Sequence, residues 1–217
     1  MKIIILHGLY MHGLVMQPLS LRLKKLGYQT QTLTYNTVNI DEEKVFQSID
    51  KALSTTTGNV LVGHSLGGLM IKHYLASRRP TLQRISHVVA IGSPLKGASI
   101  VTKIQELGLG AMLGNSPKHG LNMHEDVWDF PQKLGSIAGT IPLGARPFLL
   151  MDTQTMSDGT VTVEETKISG MTDHVLTKNS HTSMIYSRYI PDQIDHFIQQ
   201  CHWRADGADP ESGLRAI

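Results

Sequence analysis

The stretch 59-NVLVGHSLGGLM-70 decides how this chain is read. Asn59–Val62 is an apolar run of strand length, and Leu66, Leu69 and Met70 then recur at helical spacing. Between them lies Gly63-His64-Ser65-Leu66-Gly67, a serine flanked at two residues' distance by glycines. A tight turn from strand to helix lifts the serine hydroxyl above the sheet edge. The two backbones then crowd together, which leaves no room for side chains at the flanking positions. The following helix aims its first N–H groups at developing negative charge. Taken alone, the pentapeptide also fits a glycine-rich packing turn. A serine hydroxyl is a poor nucleophile, so the catalytic reading needs a base and an orienting acid elsewhere.

Around this stretch, β-rich apolar runs alternate with helical patterns, which predicts a mostly parallel sheet of about six strands wrapped by helices. The strand candidates are Lys2–Leu6, Gln29–Tyr35, Asn59–Val62, His87–Ile91, Ser136–Thr140 and Asp173–Thr177. Several are continuously apolar, as strands covered on both faces are. Leu19, Leu23 and Leu26 mark a helix ending near Gly27. The run from Asp41 carries Val45, Phe46, Ile49 and Leu53 on one stripe behind an acidic start, and Leu66, Leu69, Met70 and Tyr74 form the inner face of the next helix. Residues 99–131 differ in texture, rich in Gly and Met without strand alternation, and read as a cap or insertion. Residues 1–203 read as a single domain and 204–217 as a flexible tail.

Length and composition bound the function. A chain of 217 residues can bury one substantial core, and 41% hydrophobic with 18% charged residues is a globular balance. A net charge of +2 with no basic run gives nucleic-acid binding no support. Cys201 is the lone cysteine, so neither an internal disulfide nor a zinc framework is expected. The apolar start is too short for a signal-peptide core, and no run approaches the ~20 residues of a transmembrane helix; a cytoplasmic protein is expected.

The Gly63-to-Gly67 turn resembles the nucleophile elbow of the α/β-hydrolases, and that resemblance implies that the acid follows the nucleophile and the base comes last. Of eleven histidines, His181 stands just after the last strand candidate, at the sheet edge where such sites form. His174 lies within that strand and His202 near the tail, so both fit less well. Asp158, on a Ser-Asp-Gly turn, is the acid candidate; Asp152 and Asp173 are rivals, and an ordinary Asx turn is the bland reading of Asp158. The backbone N–H groups of Leu66 and of Leu9, after the first strand, are the candidate oxyanion donors. His7 and His12 lack an acidic partner at ligand spacing, and His119 and His124 read as a solvated loop with at most weak metal affinity. No metal and no organic cofactor is expected.

Four stretches, IILHGLYMHG, LVGHSLGGLM, SDGTVTVEET and NSHTSM, together resemble the α/β-hydrolases, in particular the small lipase and esterase group. IGSPLKGA also resembles the segment after the fourth strand of such sheets. The likeness spans roughly residues 2–199. It implies a three-layer α/β-hydrolase fold lacking the first N-terminal strands, with a small cap. It further implies Ser65 as nucleophile, Asp158 as acid, His181 as base, and Leu9 and Leu66 as oxyanion donors. The expected activity is hydrolysis of a small acyl ester through an acyl-enzyme. A thioesterase, an acyltransferase, or a non-catalytic binding protein on the same fold is the alternative. Leu107, Leu109, Met112 and Leu113 are candidates to line an acyl pocket, or simply to cover the sheet.

Overall fold

Ile3, Ile4, Ile5 and Leu6 are all fully buried. Consecutive side chains of a strand point to opposite faces, so such a run requires cover on both sides of the sheet. The structure, a computed structural model, describes residues 1–152 and 154–204. Its six strands are β1 (Lys2–Leu6), β2 (Gln29–Leu33), β3 (Asn59–His64), β4 (Ile85–Ile91), β5 (Lys133–Gly139) and β6 (Asp173–Thr177). All neighbours pair in parallel, in the order β2-β1-β3-β4-β5-β6.

The helices follow in chain order as α1 (Gln17–Lys25), α2 (Glu42–Ala52), α3 (Leu66–Arg78), α4 (Ser99–Glu106), the short α5 (Ala145–Phe148) and α6 (Tyr189–Gln200). On one face of the sheet Ile3, Ile5, Val60 and Val62 pack with Leu19 and Leu23 of α1 and Ile194 and Phe197 of α6. On the other face Ile4, Leu6 and Leu61 meet Val45, Phe46 and Ile49 of α2 and Leu69, Met70 and Tyr74 of α3. The result is three layers. Each helix is positioned by the stripe that its sequence spacing creates.

Strand order reverses at β1, which lies between β2 and β3. The loops leaving β1 and β3 at this switch point diverge to opposite faces and open a crevice beyond the carboxyl ends of the strands. Leu6 is in register with Gly63, and His64 with Ile91. The segments after β1, β3 and β4 therefore emerge side by side.

Some boundaries differ from the periodicity. β2 stops at Leu33 because the Tyr35 N–H donates to His7 Nε2 (3.3 Å) instead of continuing a ladder. β5 begins at Lys133, earlier than expected, through Gly135, where Phe197 and Trp203 press so closely that a Cβ would collide with both rings. Leu26 falls just beyond α1 and is exposed, and Leu53 is buried just beyond α2. Residues 99–131 hold α4 and two 3-10 turns, Gly110–Leu113 and Ser116–His119. The tail expected at 204–217 lies outside the described residues except for Arg204. No helix among the described residues is long and apolar enough to cross a membrane.

Gly63 is a constraint on the site set by backbone alone. A Cβ there would overlap the backbone of Gly67 and Gly68 in the first turn of α3. Gly63→Ala is expected to lower stability by about 1–3 kcal/mol or more, read as a lower urea midpoint with an unchanged slope. Gly58→Ala, where the added methyl meets only a distant methionine side chain, should stay within about 0.5 kcal/mol of the parent.

Candidate active site

Ser65 has φ 54° and ψ −123°, a conformation costing on the order of 1–3 kcal/mol for a residue with a side chain. It is held there by backbone hydrogen bonds, its own N–H to Ile91 O (2.9 Å) and the Gly68 N–H to its carbonyl (3.1 Å). Gly67 packs against the Leu6 carbonyl and so draws the start of α3 onto the end of β1. Among the described residues Ser65 Oγ has no hydrogen-bond partner. Leu66 is the first residue of α3, and its N–H is one of the four that a helix leaves without an internal acceptor. The loop after β1 comes equally close. A Cβ on Gly8 would stand 2.9 Å from that of Ser65, and Leu9 shares a cavity with the serine.

His181 and Asp158 meet directly. The Nδ1–H of His181 donates to Asp158 Oδ2 (2.6 Å), and the His181 backbone N–H donates to the Asp158 carbonyl (2.8 Å). The second carboxylate oxygen, Oδ1, accepts from the N–H groups of Thr160 (2.9 Å) and Val161 (2.8 Å). Both residues are buried, yet His181 and Ser65 line one cavity, which leaves the imidazole Nε2 as the nitrogen available on that side. The rival acids are engaged elsewhere. Asp152 closes an exposed turn onto Gln154 and Thr155, and Asp173 accepts from His174 and Trp203. His174 bonds Thr166 and His202 bonds the Trp203 carbonyl.

Three residues near the serine turn and this pair have roles that the sequence reading did not assign. His64, the variable residue of the serine turn, donates Nε2–H to the His181 carbonyl (2.9 Å), with the two rings 4.7 Å apart. Its Nδ1 is buried without a partner, and burial, reinforced by repulsion from His181, lowers its pKa to about 3. His64 is therefore neutral and serves as a brace. Gly92, at φ 54°, lies where a Cβ would press on Asp158 Oδ2, His181 Nδ1 and Met184. His7 accepts the Tyr35 N–H at Nε2, which places its proton on Nδ1 facing the Gly8 carbonyl (3.0 Å); burial holds its pKa below the ordinary value. His7 and His12 do not converge, since His12 caps the Leu14 N–H (3.3 Å). None of these contacts leaves a periodic signal in the sequence, because His64, Gly92 and His7 reach His181, Asp158 and Tyr35, each far along the chain.

The cavity holding Ser65 and His181 measures about 180 Å³ and is walled mainly by apolar side chains, among them Ile100, Val101, Ile104, Leu113, Leu121 and Val161. Of the four side chains expected to line an acyl pocket, Leu113 stands in this wall. Leu107, Leu109 and Met112 are outside its lining and are 50%, 45% and 61% exposed. The physical reason is local. Leu107 follows the end of α4, and the turn Gly110–Leu113 directs only its last residue inward. The wall helix α4 is itself fixed to the acid loop. Buried Glu165 accepts the Ser99 N–H (2.6 Å), and buried Arg146 donates to the Ser99 hydroxyl (2.8 Å).

Comparison with known proteins agrees with this architecture. The chain is 16% identical to the Bacillus licheniformis lipase BlEst2 in its propeptide form, with a TM-score of 0.65, covering 95% of this chain and 52% of that one. It therefore spans about half the length of that lipase. A pyrethroid hydrolase from Sphingobium faniae JZ-2 is 14% identical with a TM-score of 0.56, covering 92% and 98% of the two chains. A polyneuridine aldehyde esterase mutant is 12% identical with a TM-score of 0.57, covering 94% and 99%. At such identities the likeness establishes the fold alone, a three-layer α/β-hydrolase-like fold. No curated protein sequence matches the chain. The family described as the PGAP1-like alpha/beta domain matches residues 26–200, most of the chain, and this protein belongs to it.

Proposed function

We propose that the protein is a serine hydrolase of carboxylic esters, with Ser65 as nucleophile, His181 as base and Asp158 as the orienting acid. The observation that carries this reading is the buried Asp158–His181 hydrogen bond beside a strained serine in one cavity. Asp158 fixes the tautomer with the proton on Nδ1, leaving Nε2 to accept the Ser65 proton, and it stabilises the imidazolium that results. Ser65 and His181 line the same cavity, and the hydrogen bond between them forms when substrate binds, since catalytic hydrogen bonds are often long or poorly aligned without it. The structural neighbours, a lipase and esterases among them, support ester chemistry.

Ser65 Oγ attacks the ester carbonyl while its proton passes to His181 Nε2. The oxyanion accepts hydrogen bonds from the N–H groups of Leu9 and Leu66. Collapse returns the proton to the departing alkoxide and leaves an acyl-enzyme. Water then gives a proton to His181 and attacks the acyl carbon, and the carboxylic acid leaves as Ser65 recovers its proton. No step calls for a metal or an organic cofactor. The acyl group lies against α4 and Leu113. At about 180 Å³ this cavity is smaller than the ~300–1,000 Å³ of pockets for drug-sized ligands, which favours short acyl chains.

Ser65→Ala should fold normally by circular dichroism, lose ester turnover by about 10⁴-fold or more, and escape labelling by a fluorophosphonate that modifies the parent. Undiminished turnover in Ser65→Ala would rule the proposal out. Asp158→Asn should lower kcat by about 10⁴-fold through the wrong imidazole tautomer. Oxygen-ester turnover exceeding that of the matching thioester separates the proposal from a thioesterase. In a series of p-nitrophenyl esters, Ile104→Trp should lower kcat/KM for the longest accepted acyl chain by about 10–200-fold while sparing acetate. Leu107→Trp, outside the lining, should leave that profile unchanged.

A further inference from the structure

Glu42, His73 and His119 are far apart in sequence and meet at one point. Glu42 sits in the first turn of α2, His73 midway along α3, and His119 at the end of the 3-10 turn Ser116–His119. Glu42 Oε1 accepts a hydrogen bond from His73 Nδ1 (2.7 Å) and another from His119 Nδ1 (2.7 Å). The donor atoms of all three residues lie within 4.8 Å of one another. The proposed hydrolytic chemistry uses none of them, and none lines the cavity at Ser65.

We infer that these three side chains form a binding site for one divalent transition metal ion of the zinc class, independent of the catalytic residues. The donor set decides the class. Two imidazoles and one carboxylate suit Zn²⁺, Co²⁺, Ni²⁺ or Cu²⁺, whereas Mg²⁺ and Ca²⁺ favour all-oxygen sites. Four-coordinate zinc, with bonds of about 2.0–2.1 Å, holds its ligand atoms about 3.3 Å apart. The two 2.7 Å contacts therefore need to lengthen by about half an ångström, which rotation of the partly exposed Glu42 side chain supplies. No other His, Cys, Asp or Glu among the described residues joins the group, and all three members reach solvent, so water completes the coordination. Each imidazole would bind the metal through Nδ1. Its proton moves from Nδ1 to Nε2, freeing the Nδ1 lone pair.

The placement gives such an ion a structural consequence. His119 lies between Leu113 and Leu121, both in the cavity wall. Asn115 in the same segment already bonds the Ile40 backbone twice (2.7 and 2.9 Å), just before α2. A metal would add a joint between this wall, α2 and α3, stiffening one side of the cavity without touching the reacting atoms. The sequence hid this site because the natural grouping, His119 with His124, is not the one that forms. His124 instead turns to the Asn122 carbonyl (2.8 Å) and toward Asp126.

Untagged protein stripped with a chelator and titrated with Zn²⁺ by calorimetry should take up one equivalent with micromolar or tighter affinity. Co²⁺ should give visible d–d absorption of a four- or five-coordinate ion. Zinc at about 100-fold above Kd should raise the melting midpoint by about 5–10 °C. His119→Ala and Glu42→Gln should each weaken uptake by about 100-fold or more, while His124→Ala and His202→Ala retain it. If His119→Ala misfolds, Glu42→Gln carries the comparison. The inference is overturned if the parent takes up no equivalent at about 100 µM Zn²⁺, the result expected of a purely hydrogen-bonded cluster, or if parent and Glu42→Gln titrate alike. Because uptake is read without substrate, neither result depends on whether Ser65 hydrolyses esters.

Discussion

The chain reversal at Ser65 is the constraint on which the rest of the site depends. β3 must end, turn through a positive-φ serine and start α3 within a few residues, with the helix seated on the end of β1. Three backbones then occupy space that side chains would otherwise fill, which is why glycine stands at positions 63 and 67, while Gly68 leaves room for the Ser93 side chain. The strain at Ser65 is offset by the burial around it, since every residue of β3 is buried and the first turns of α3 sit in the core. A rigid parallel sheet sets the registers, and those registers bring the β1, β3 and β4 exits together.

Around that turn, buried polar groups are satisfied in a way that immobilises the imidazole of His181. Asp158 is anchored by two backbone N–H groups and in turn holds His181 through both side chain and main chain. His64 secures the opposite side of the same residue through its carbonyl. In a site of low polarity each such bond counts for more than it would in water, and the cost of losing one rises accordingly. The orphaned His64 Nδ1 is the exception, a buried acceptor without a donor beside a glycine-lined loop.

The legible part of the architecture is the part with a period. Strands β1 and β6 follow their apolar runs to the residue, and the stripes of α2 and α3 face the core as their spacing requires. The ends of β2 and β5 were not legible, because Tyr35 is diverted by His7 in the loop after β1 and Gly135 is packed by the rings of Phe197 in α6 and Trp203 beyond it. Asp158 and His181 were legible through chain order, as positions at strand ends, but chain order did not by itself separate Asp158 from Asp152 or Asp173. Pocket lining was the least legible. Leu109, Met112 and Leu113 have similar composition and lie on one short segment, and only the direction of a 3-10 turn distinguishes them.

The sequence by itself determined a parallel sheet buried on both faces and a serine on a turn that only glycine neighbours permit. It also set the order in which an acid and a histidine follow. These are properties of local sterics and of apolar periodicity, which each segment carries within itself. Tertiary structure alone decided which aspartate meets His181, that His64 braces it, that Leu113 faces the cavity, and that Glu42, His73 and His119 converge. Those outcomes depend on distances between segments far apart in the chain, and such distances exist only once the sheet has fixed the registers of its strands.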